Sequence, residues 1–181
     1  MTFEQVFKVD EASSLPPPRL VADLVGSAGT FGGGLFSVLD KELSSSVLNS
    51  WRWLLGQDAL ALVASAYGDL FFWSERHSAV YFLEVQRGQS TFVDRNITFL
   101  FHQFLTKDGI LDRVLHQELF KTLSSRLNKP RYGECYIAVP WVRVGGTGAV
   151  DTYTKGELVV YTNLVGQSVE QDMKSQRPTA H

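Results

Sequence analysis

The stretch AYGDLFFWSERHSAVYFLEVQRGQ, residues 66–89, carries the clearest structural pattern in the sequence. It holds two short apolar runs, at 70–73 and 80–83, on either side of the polar segment Ser-Glu-Arg-His. Short runs rich in aromatic and β-branched residues and bounded by turn residues are typical of two strands paired as a hairpin. We therefore predict an antiparallel hairpin at this point in the chain.

Further runs of the same kind flank the hairpin. One precedes it and one follows it, and the segments Tyr-Gly-Asp and Arg-Gly-Gln supply turn residues between runs. Short apolar runs at this spacing are typical of strands joined in chain order by tight turns. The sequence thus predicts an antiparallel meander with strands at 59–66, 70–73, 79–85 and 90–93.

Outside the meander, apolar residues recur at helical spacing. Asp40 and Asp94 each stand just before such a segment, where an aspartate side chain can accept hydrogen bonds from the first backbone N–H groups of a helix. Apolar residues at i, i+3, i+4 and i+7 form one face of a helix. The predicted helices cover residues 18–25, 41–55, 97–105, 111–127 and 158–169, and a short extended piece is predicted at 35–39.

The remaining segments carry weaker patterns. Residues 131–155 are rich in loop residues, and Val159-Val160 would also suit a strand within the last apolar segment. From residue 170 onward the chain is polar, which predicts a frayed tail. Taken together, the patterns predict an α+β fold in which a small antiparallel meander packs against several helices.

Length, composition and charge limit the classes of function. The chain has 181 residues, of which 44% are hydrophobic, enough for a substantial core. Its 17 basic and 19 acidic residues give a net charge of −2, so direct nucleic-acid binding is not expected. Neither a signal peptide nor a run of about 18 apolar residues is present, and the single Cys135 has no partner for an internal disulfide. We expect a cytoplasmic chain with no membrane partner.

The charges are unevenly distributed. Residues 1–70 carry eight acidic and four basic side chains, a net of −4, whereas the remainder of the chain is net positive. A mild asymmetry of this kind is common on a solvated face, and it also suits a docking surface for a basic partner. The acidic residues of the first part are Glu4, Asp10, Glu11, Asp23, Asp40, Glu42, Asp58 and Asp69.

Asp69 and Glu84 raise the question of a metal site, since each stands at one end of a predicted strand of the hairpin. Two or three converging carboxylates can hold Mg²⁺, which activates water in metal-dependent nucleases. Such a site usually has a basic residue two positions after the glutamate, and Gln86 is a weak substitute for lysine. The next acid along the chain, Asp94, is placed to cap a helix. The residues favour a structural role for both carboxylates.

No other catalytic apparatus emerges from the sequence. None of the four histidines has metal-ligand spacing to another histidine or to cysteine. Cys135 lies inside the apolar run Cys-Tyr-Ile-Ala-Val, which predicts a buried, inert thiol. The glycine clusters at 32–34 and 145–148 lack the residues of a phosphate-binding loop and fit turns better. We expect neither an enzyme nor a bound cofactor.

Several segments in order resemble one protein family, the Tdi-type immunity proteins of type VI secretion systems. The Gly-Asp-Leu-Phe-Phe-Trp and Glu-Cys-Tyr segments carry most of the resemblance, and the region around Phe31–Phe36 and Trp51 is similar to the GAD-like domain that often precedes this one. The matching positions, expected to be mainly structural, are Gly68, Asp69, Phe72, Trp73, Glu134, Cys135, Tyr136, Pro140, Gly145, Gly146 and Gln167.

The resemblance implies a domain division and a function. It places a GAD-like region at 1–57, a Tdi-type immunity domain at 58–169 and a polar tail at 170–181. It implies an inhibitor that binds a cognate secreted DNase toxin in the cell that makes it. Because a DNase presents a basic surface to DNA, acidic residues and large side chains are the expected contacts. These are Asp23, Asp40, Glu42, Trp51 and Asp58, followed by Trp141 and Arg143.

Two alternatives remain open at this point. One is a minimal metal-dependent nuclease that uses Asp69 and Glu84. The other is a regulatory or scaffold module that binds a partner other than a toxin. The sequence also leaves open how an inhibitor would act, whether by filling the active site of the toxin, by blocking DNA access or by distorting the toxin.

Overall fold

A seven-stranded antiparallel sheet organises the computed structural model, which describes residues 2–176 apart from the side chain of Asp108. Its strands lie side by side in chain order, so every connection joins neighbours. They are β1 (Val9–Ala12), β2 (Gly29–Phe31), β3 (Phe36–Val38), β4 (Ala59–Ser65), β5 (Leu70–Ser74), β6 (Ala79–Glu84) and β7 (Gln89–Asp94).

The predicted hairpin is present as β5 and β6. Leu70 pairs with Leu83 and Ser74 with Ala79, so the two strands are matched along the whole of β5. β4 and β7 pair on either side of this hairpin, each with one irregularity in register. The meander and the α+β class are therefore confirmed, and the sheet is larger than expected because β1, β2 and β3 extend it.

The helices are shorter than the periodic patterns suggest, and the helix predicted over 18–25 is wrong, since residues 19–24 form turns. The extended piece predicted at 35–39 is present as β3. The helices are α1 (Phe3–Val6), α2 (Lys41–Ser46), α3 (Arg52–Leu55), α4 (Ile97–Phe99), α5 (Asp108–Arg113), α6 (Gln117–Leu127) and α7 (Leu158–Ser175). A 3-10 turn over Asn49–Trp51 separates α2 from α3, and a π-helix over Leu100–Phe104 follows α4. His116 adopts a left-handed conformation with φ of 49° between α5 and α6.

The caps of two predicted helices differ in outcome. Asp40 caps α2 as expected, since its side chain accepts hydrogen bonds from the backbone N–H groups of Glu42 and Leu43. The prediction that Asp94 caps the next helix is wrong. Asn96 is the N-cap of α4 and accepts from Thr98 N, while Asp94 accepts from Asn96 N in the preceding turn.

The region predicted to be rich in loops contains a second sheet. β8 (Glu134–Ala138) and β9 (Tyr153–Glu157) pair antiparallel, with Glu134 opposite Glu157 and Ala138 opposite Tyr153. The segment between them, 139–152, contains two 3-10 turns, at Val142–Val144 and Val150–Thr152. α7 begins directly after β9, so the strand alternative for Val159-Val160 is wrong.

Both faces of the large sheet are covered by apolar side chains. Phe71 belongs to a cluster with Phe36 and Phe101, whereas its neighbour Phe72 belongs to a cluster with Trp51 and Val165 of α7. Successive residues of a strand point to opposite faces, so a strand buried on both faces reads as a continuous apolar run. That is why 70–73 does not alternate.

The sheet crosses the predicted domain boundary at 57/58. β3 pairs with β4 along Phe36–Ser65, Ser37–Ala64 and Val38–Val63, and the cluster around Trp51 also includes residues of α7. The two regions therefore share one sheet and its cores. α7 continues to Ser175, so the first six residues of the predicted tail are helical, and residues 177–181 lie outside the described part. No helix within residues 2–176 has the length and apolar character needed to cross a bilayer.

Candidate functional site at the Asp69 pocket

A tight turn between β4 and β5 positions Asp69. Gly68 N donates to Ser65 O at 3.0 Å, Asp69 N donates to Ser65 Oγ at 3.1 Å, and Ser65 N donates to Asp69 O at 2.8 Å. Gly68 has φ of 83°, and a Cβ there would lie 2.7 Å from Cε1 of Tyr161. Glycine thus allows the turn both its left-handed backbone and its direct contact with α7.

The carboxyl group of Asp69 is partly buried beside the end of β6. Its Oδ1 accepts a hydrogen bond from Val85 N at 2.8 Å. Burial raises the pKa of Asp69 to about 7; the Val85 hydrogen bond opposes this rise, Glu84 adds to it and Arg87 opposes it. A carboxyl with a pKa near neutral changes its charge in the range where proteins usually work.

Asp69 lines a cavity of about 330 Å³ with four tyrosine side chains in its walls. Burial raises the pKa of each tyrosine, to about 12 for Tyr136, so all four are neutral phenols at neutral pH. Tyr67 donates to His116 O at 3.0 Å, and Tyr136 donates to Asn128 O at 2.8 Å. The lining residues are Tyr67, Asp69, Glu84, Gln86, Arg87, His116, Leu119, Tyr136, Ala138, Val142, Tyr153 and Tyr161.

Gln86 connects three elements at the edge of this cavity. Its Nε2 donates to the hydroxyl oxygen of Tyr161 at 2.6 Å, and its Oε1 accepts from Arg143 N at 3.1 Å. The Arg143 guanidinium also donates to Gln86 O at 3.4 Å and forms an ion pair with Asp172 on α7. The residue that looked like a weak substitute for a catalytic lysine therefore holds the 139–152 segment against the sheet and α7.

A second cavity of about 490 Å³ adjoins the first. Asp69, Glu84, Arg87 and His116 line both cavities. The second one adds apolar side chains from β6, β7 and the helices that follow, including Phe82, Phe92, Phe104, Ile110 and Val114. Thr91 and Arg113 also line the second cavity, so charged and polar side chains lie along both, with tyrosines in the first and phenylalanine and aliphatic side chains in the second.

Asp69 and Glu84, the two candidate metal ligands, are brought to the same cavity. Glu84 pairs with Arg87 at 3.3 Å, and Asp69 accepts from Val85 N. Among the side chains of residues 2–176 other than Asp108, no group of three or more His, Cys, Asp or Glu residues is placed to hold a metal ion. The two hairpin ends thus line a shared pocket. The sequence predicted a structural role for both carboxylates and did not predict this pocket.

Asp40, one of the predicted partner contacts, is only 5% exposed. Its carboxylate accepts from Glu42 N, Leu43 N, Ser13 Oγ and the Tyr132 hydroxyl, at 2.7 to 3.0 Å. Burial acts to raise the pKa of Asp40, but these hydrogen bonds together hold it below its ordinary value. The acid is therefore an internal cap that ties α2 to distant segments.

Trp51 is fully buried, and its Nε1 donates to Thr162 O on α7 at 2.8 Å. Side chains that are buried in the fold cannot contact a partner without unfolding it. We therefore take Trp51 and Asp40 out of the proposed contact surface. Residue type alone does not show whether a tryptophan or an aspartate is buried, because burial depends on how distant segments pack.

The other predicted acidic contacts are exposed. Asp23 lies in the turns after β1, Glu42 lies in the first turn of α2, and Asp58 precedes β4. Asp58 accepts from Arg76 N at 2.7 Å, so it also joins two turns at one end of the sheet. All three remain available for contact with a partner.

In the 139–152 segment, valines are more exposed than the two residues predicted to make contacts. Trp141 is partly buried with its ring edge-on to Tyr161, at 6.1 Å between centroids, and the Arg143 side chain is 15% exposed. By contrast, Val139, Val142 and Val144 are 56%, 49% and 62% exposed. Residues 142–144 form a 3-10 turn, so no strand-type alternation in the sequence signals this arrangement.

The first family-motif residues support the large sheet. Phe72 is buried and stacks on Tyr81 across β5 and β6, at 5.6 Å between ring centroids. Trp73 is partly buried, and its Nε1 donates to Glu75 Oε2 at 2.8 Å. These contacts stabilise the hairpin and leave the expected structural role in place.

The Glu-Cys-Tyr motif begins β8. Glu134 accepts from Arg131 N at 2.8 Å and pairs with Lys155 of β9 at 3.5 Å. Cys135 is fully buried, and burial raises the pKa of its thiol, so it stays protonated. Tyr136 N donates to Ala66 O at 2.7 Å, which joins the small sheet to the turn that carries Asp69.

The last motif residues shape the 139–152 segment and the surface of α7. A cis peptide bond precedes Pro140. Gly145 has φ of 95°, and a Cβ on Gly146 would overlap the carbonyl oxygen of Pro140. Gln167 is exposed on α7 and lies 3.4 Å from Ser50 Oγ through its Nε2.

Comparisons with known proteins show that the fold occurs among solved structures. No family profile and no curated protein sequence matches the chain. Among solved structures, the fold is similar to that of the crystal structure of Atu4351 from Agrobacterium tumefaciens, with a TM-score of 0.60. The match has 18% sequence identity and covers 84% of this chain and 76% of that chain. At this identity the likeness shows the fold.

Proposed function

We propose that the chain is an immunity protein that binds and neutralises a cognate type VI secretion DNase in the cytoplasm of the producing cell, without catalysis of its own. The observation that carries the proposal is the group of exposed valines, Val139, Val142 and Val144, on a braced segment. The resemblance of the Gly-Asp-Leu-Phe-Phe-Trp and Glu-Cys-Tyr segments to Tdi-type immunity proteins supplies the class of partner.

The valines have the features of a protein-binding surface. Apolar side chains gain free energy when a partner removes them from water, and clustered exposed ones are characteristic of interaction sites. Arg143 and Trp141, on the other side of the segment, fix it to Gln86, Asp172 and Tyr161. A segment that is already ordered loses little conformational entropy on binding, which favours high affinity.

Charge adds a second contribution to the proposed binding. Asp23, Glu42 and Asp58 are exposed acids in the half of the chain that is net negative. Acidic residues attract a basic DNase surface and raise the rate of association, and salt screens this attraction. Reversing all three charges should lower the association rate at low salt and have less effect at high salt.

Coexpression tests the proposed function directly. The chain should restore growth to cells that express the DNase encoded beside it, and the two proteins should copurify. If growth is not restored and no complex forms, the immunity proposal fails. A catalytically inactive toxin that still copurifies would show that binding does not depend on turnover.

A pair of matched variants tests the valine surface. Val142→Asp and Val144→Asp together should weaken the complex, because they place charges where apolar contact is proposed. Val160→Asp is the control, since Val160 is 55% exposed on α7 and lies outside this segment. Equal affinity for both proteins would remove the 139–152 segment from the interface.

A further inference from the structure

The cavity beside Asp69 has an excess of negative groups. Asp69 and Glu84 contribute two carboxyl groups to its lining, and Arg87 contributes one guanidinium. Arg87 is already paired with Glu84 at 3.3 Å. Among the side chains described in residues 2–176, none forms a salt bridge with Asp69. Asp69 thus has no salt-bridge partner among these side chains, although the guanidinium of Arg113 lines the adjoining cavity.

Hydrogen-bonding capacity is also unused there. Asp69 Oδ1 accepts from Val85 N, whereas Oδ2 accepts no hydrogen bond from the described residues. Within the same part of the chain, the hydroxyl of Tyr153 has no hydrogen-bond partner, and the hydroxyl of Tyr161 only accepts, from Gln86. These oxygens can accept several N–H groups from one ligand.

The walls suit a flat or compact organic cation. Four tyrosine rings line the cavity, and aromatic faces attract cations as well as apolar groups. Its volume of about 330 Å³ lies at the lower end of the range for ligand sites. The adjoining cavity leaves room for the aliphatic part of the ligand that carries the cationic group.

We propose that this cavity binds a guanidinium or alkylammonium group, with Asp69 as the counter-ion and the tyrosine side chains as the aromatic walls. The group can come from an arginine or lysine side chain of the partner protein, which rests on the proposed function, or from a free small amine. In either case the cation supplies a salt-bridge partner to Asp69, which has none among the side chains described in residues 2–176.

Cation binding is coupled to the ionisation of Asp69. Because the pKa of Asp69 is about 7, a cation must displace its proton at lower pH. Affinity should therefore rise about tenfold from about pH 6 to about pH 8. The titratable and charged groups that face Asp69 or line either cavity beside it are Tyr67, Glu84, Arg87, Arg113, His116, Cys135, Tyr136, Tyr153 and Tyr161.

Calorimetry with N-acetyl-arginine amide and N-acetyl-lysine amide tests the proposal on the full chain. At least one probe should bind, with release of a proton near pH 6, and Asp69→Asn should weaken binding about tenfold or more. N-acetyl-citrulline amide, which has the same shape without the charge, should bind far more weakly. Asp94→Asn is the matched control, because Asp94 also accepts one backbone N–H, from Asn96, and lies outside both cavities.

The outcomes separate the two sources of the cation and keep the test independent of folding. If Asp69→Asn does not fold, two measurements still test the proposal. They are the pH dependence of probe binding by the wild type and the affinity of the rim variant Glu84→Gln, which should bind the probe more weakly. Weaker binding of Asp69→Asn to the toxin points to a partner side chain; unchanged toxin binding with probe affinity points to a free amine. If neither cationic probe binds, or if citrulline binds equally well, the proposal is overturned while the immunity function stands.

Discussion

Replacing Gly68 with alanine should destabilise the fold through two separable effects. The backbone at Gly68 has φ of 83°, where an L side chain costs about 1–2 kcal/mol. The new Cβ would also lie 2.7 Å from Cε1 and 2.9 Å from Cδ1 of Tyr161. That ring is 4% exposed, and its hydroxyl is held by Gln86, so it cannot move aside freely. Overpacking of this kind costs about 1–3 kcal/mol.

The matched control is Gly133→Ala. Gly133 has φ of 85°, nearly the same φ as Gly68, but a Cβ there meets no atom within 4 Å. Both substitutions also reduce the entropy of the unfolded chain by similar amounts. We therefore expect a loss of about 2–5 kcal/mol for Gly68→Ala and about 1–2 kcal/mol for Gly133→Ala.

Urea unfolding monitored by tryptophan fluorescence measures both losses. The difference between the two variants isolates the contact between the turn and α7. If Gly68→Ala loses no more stability than Gly133→Ala, the close packing of the Asp69 turn against Tyr161 is refuted. The geometry of the cavity would then have to be reconsidered as well.

Three further predictions concern Asp69 and Trp51. Between about pH 4 and pH 7 Asp69 is protonated in the folded chain and ionised in the unfolded chain, so its contribution to stability is lost as the pH rises through 7. Urea unfolding at about pH 5 and at about pH 8 measures this loss. The free energy of unfolding should fall less between the two pH values for Asp69→Asn than for the wild type, and an equal fall would contradict the raised pKa. Trp51→Phe removes the hydrogen bond to Thr162 O and should lower the free energy of unfolding by about 1–3 kcal/mol in the same assay. An unchanged urea midpoint would contradict this prediction. Purified wild-type chain should leave plasmid DNA intact with Mg²⁺, whereas cleavage that Asp69→Asn abolishes would favour the nuclease alternative.

The elements that could be predicted from the sequence depend on local interactions. The β5–β6 hairpin joins two apolar runs through a short polar turn, and both partners of every pair lie within a few residues of that turn. The cap at Asp40 is similarly local, since its acceptor oxygen and the donors Glu42 N and Leu43 N are adjacent in the chain. Local order of this kind is visible in residue types and spacing.

The elements that could not be predicted depend on distant partners. β1 and β2 have four and three residues, and they pair across a long connection of turns. Runs this short carry no periodic signal of their own. The single helix predicted over 111–127 is divided at His116, whose left-handed backbone is rarely adopted by a residue other than glycine.

The candidate site was hidden for the same reason. Asp69 comes from a turn in the large sheet, Tyr153 from β9 and Tyr161 from α7, and they meet only when the fold is complete. The sequence shows the two carboxyl groups at the hairpin ends, but it does not show that tyrosine side chains enclose them. The burial of Trp51 and the exposure of Val144 are likewise set by packing between distant segments.

The most direct test of the proposed function is inhibition of the toxin in solution. The purified DNase encoded beside this chain is titrated with the chain, and cleavage of plasmid DNA is followed at each ratio. We predict that DNase activity falls in proportion to the added chain and is abolished near a fixed stoichiometric ratio. Full DNase activity in the presence of excess folded chain would contradict it.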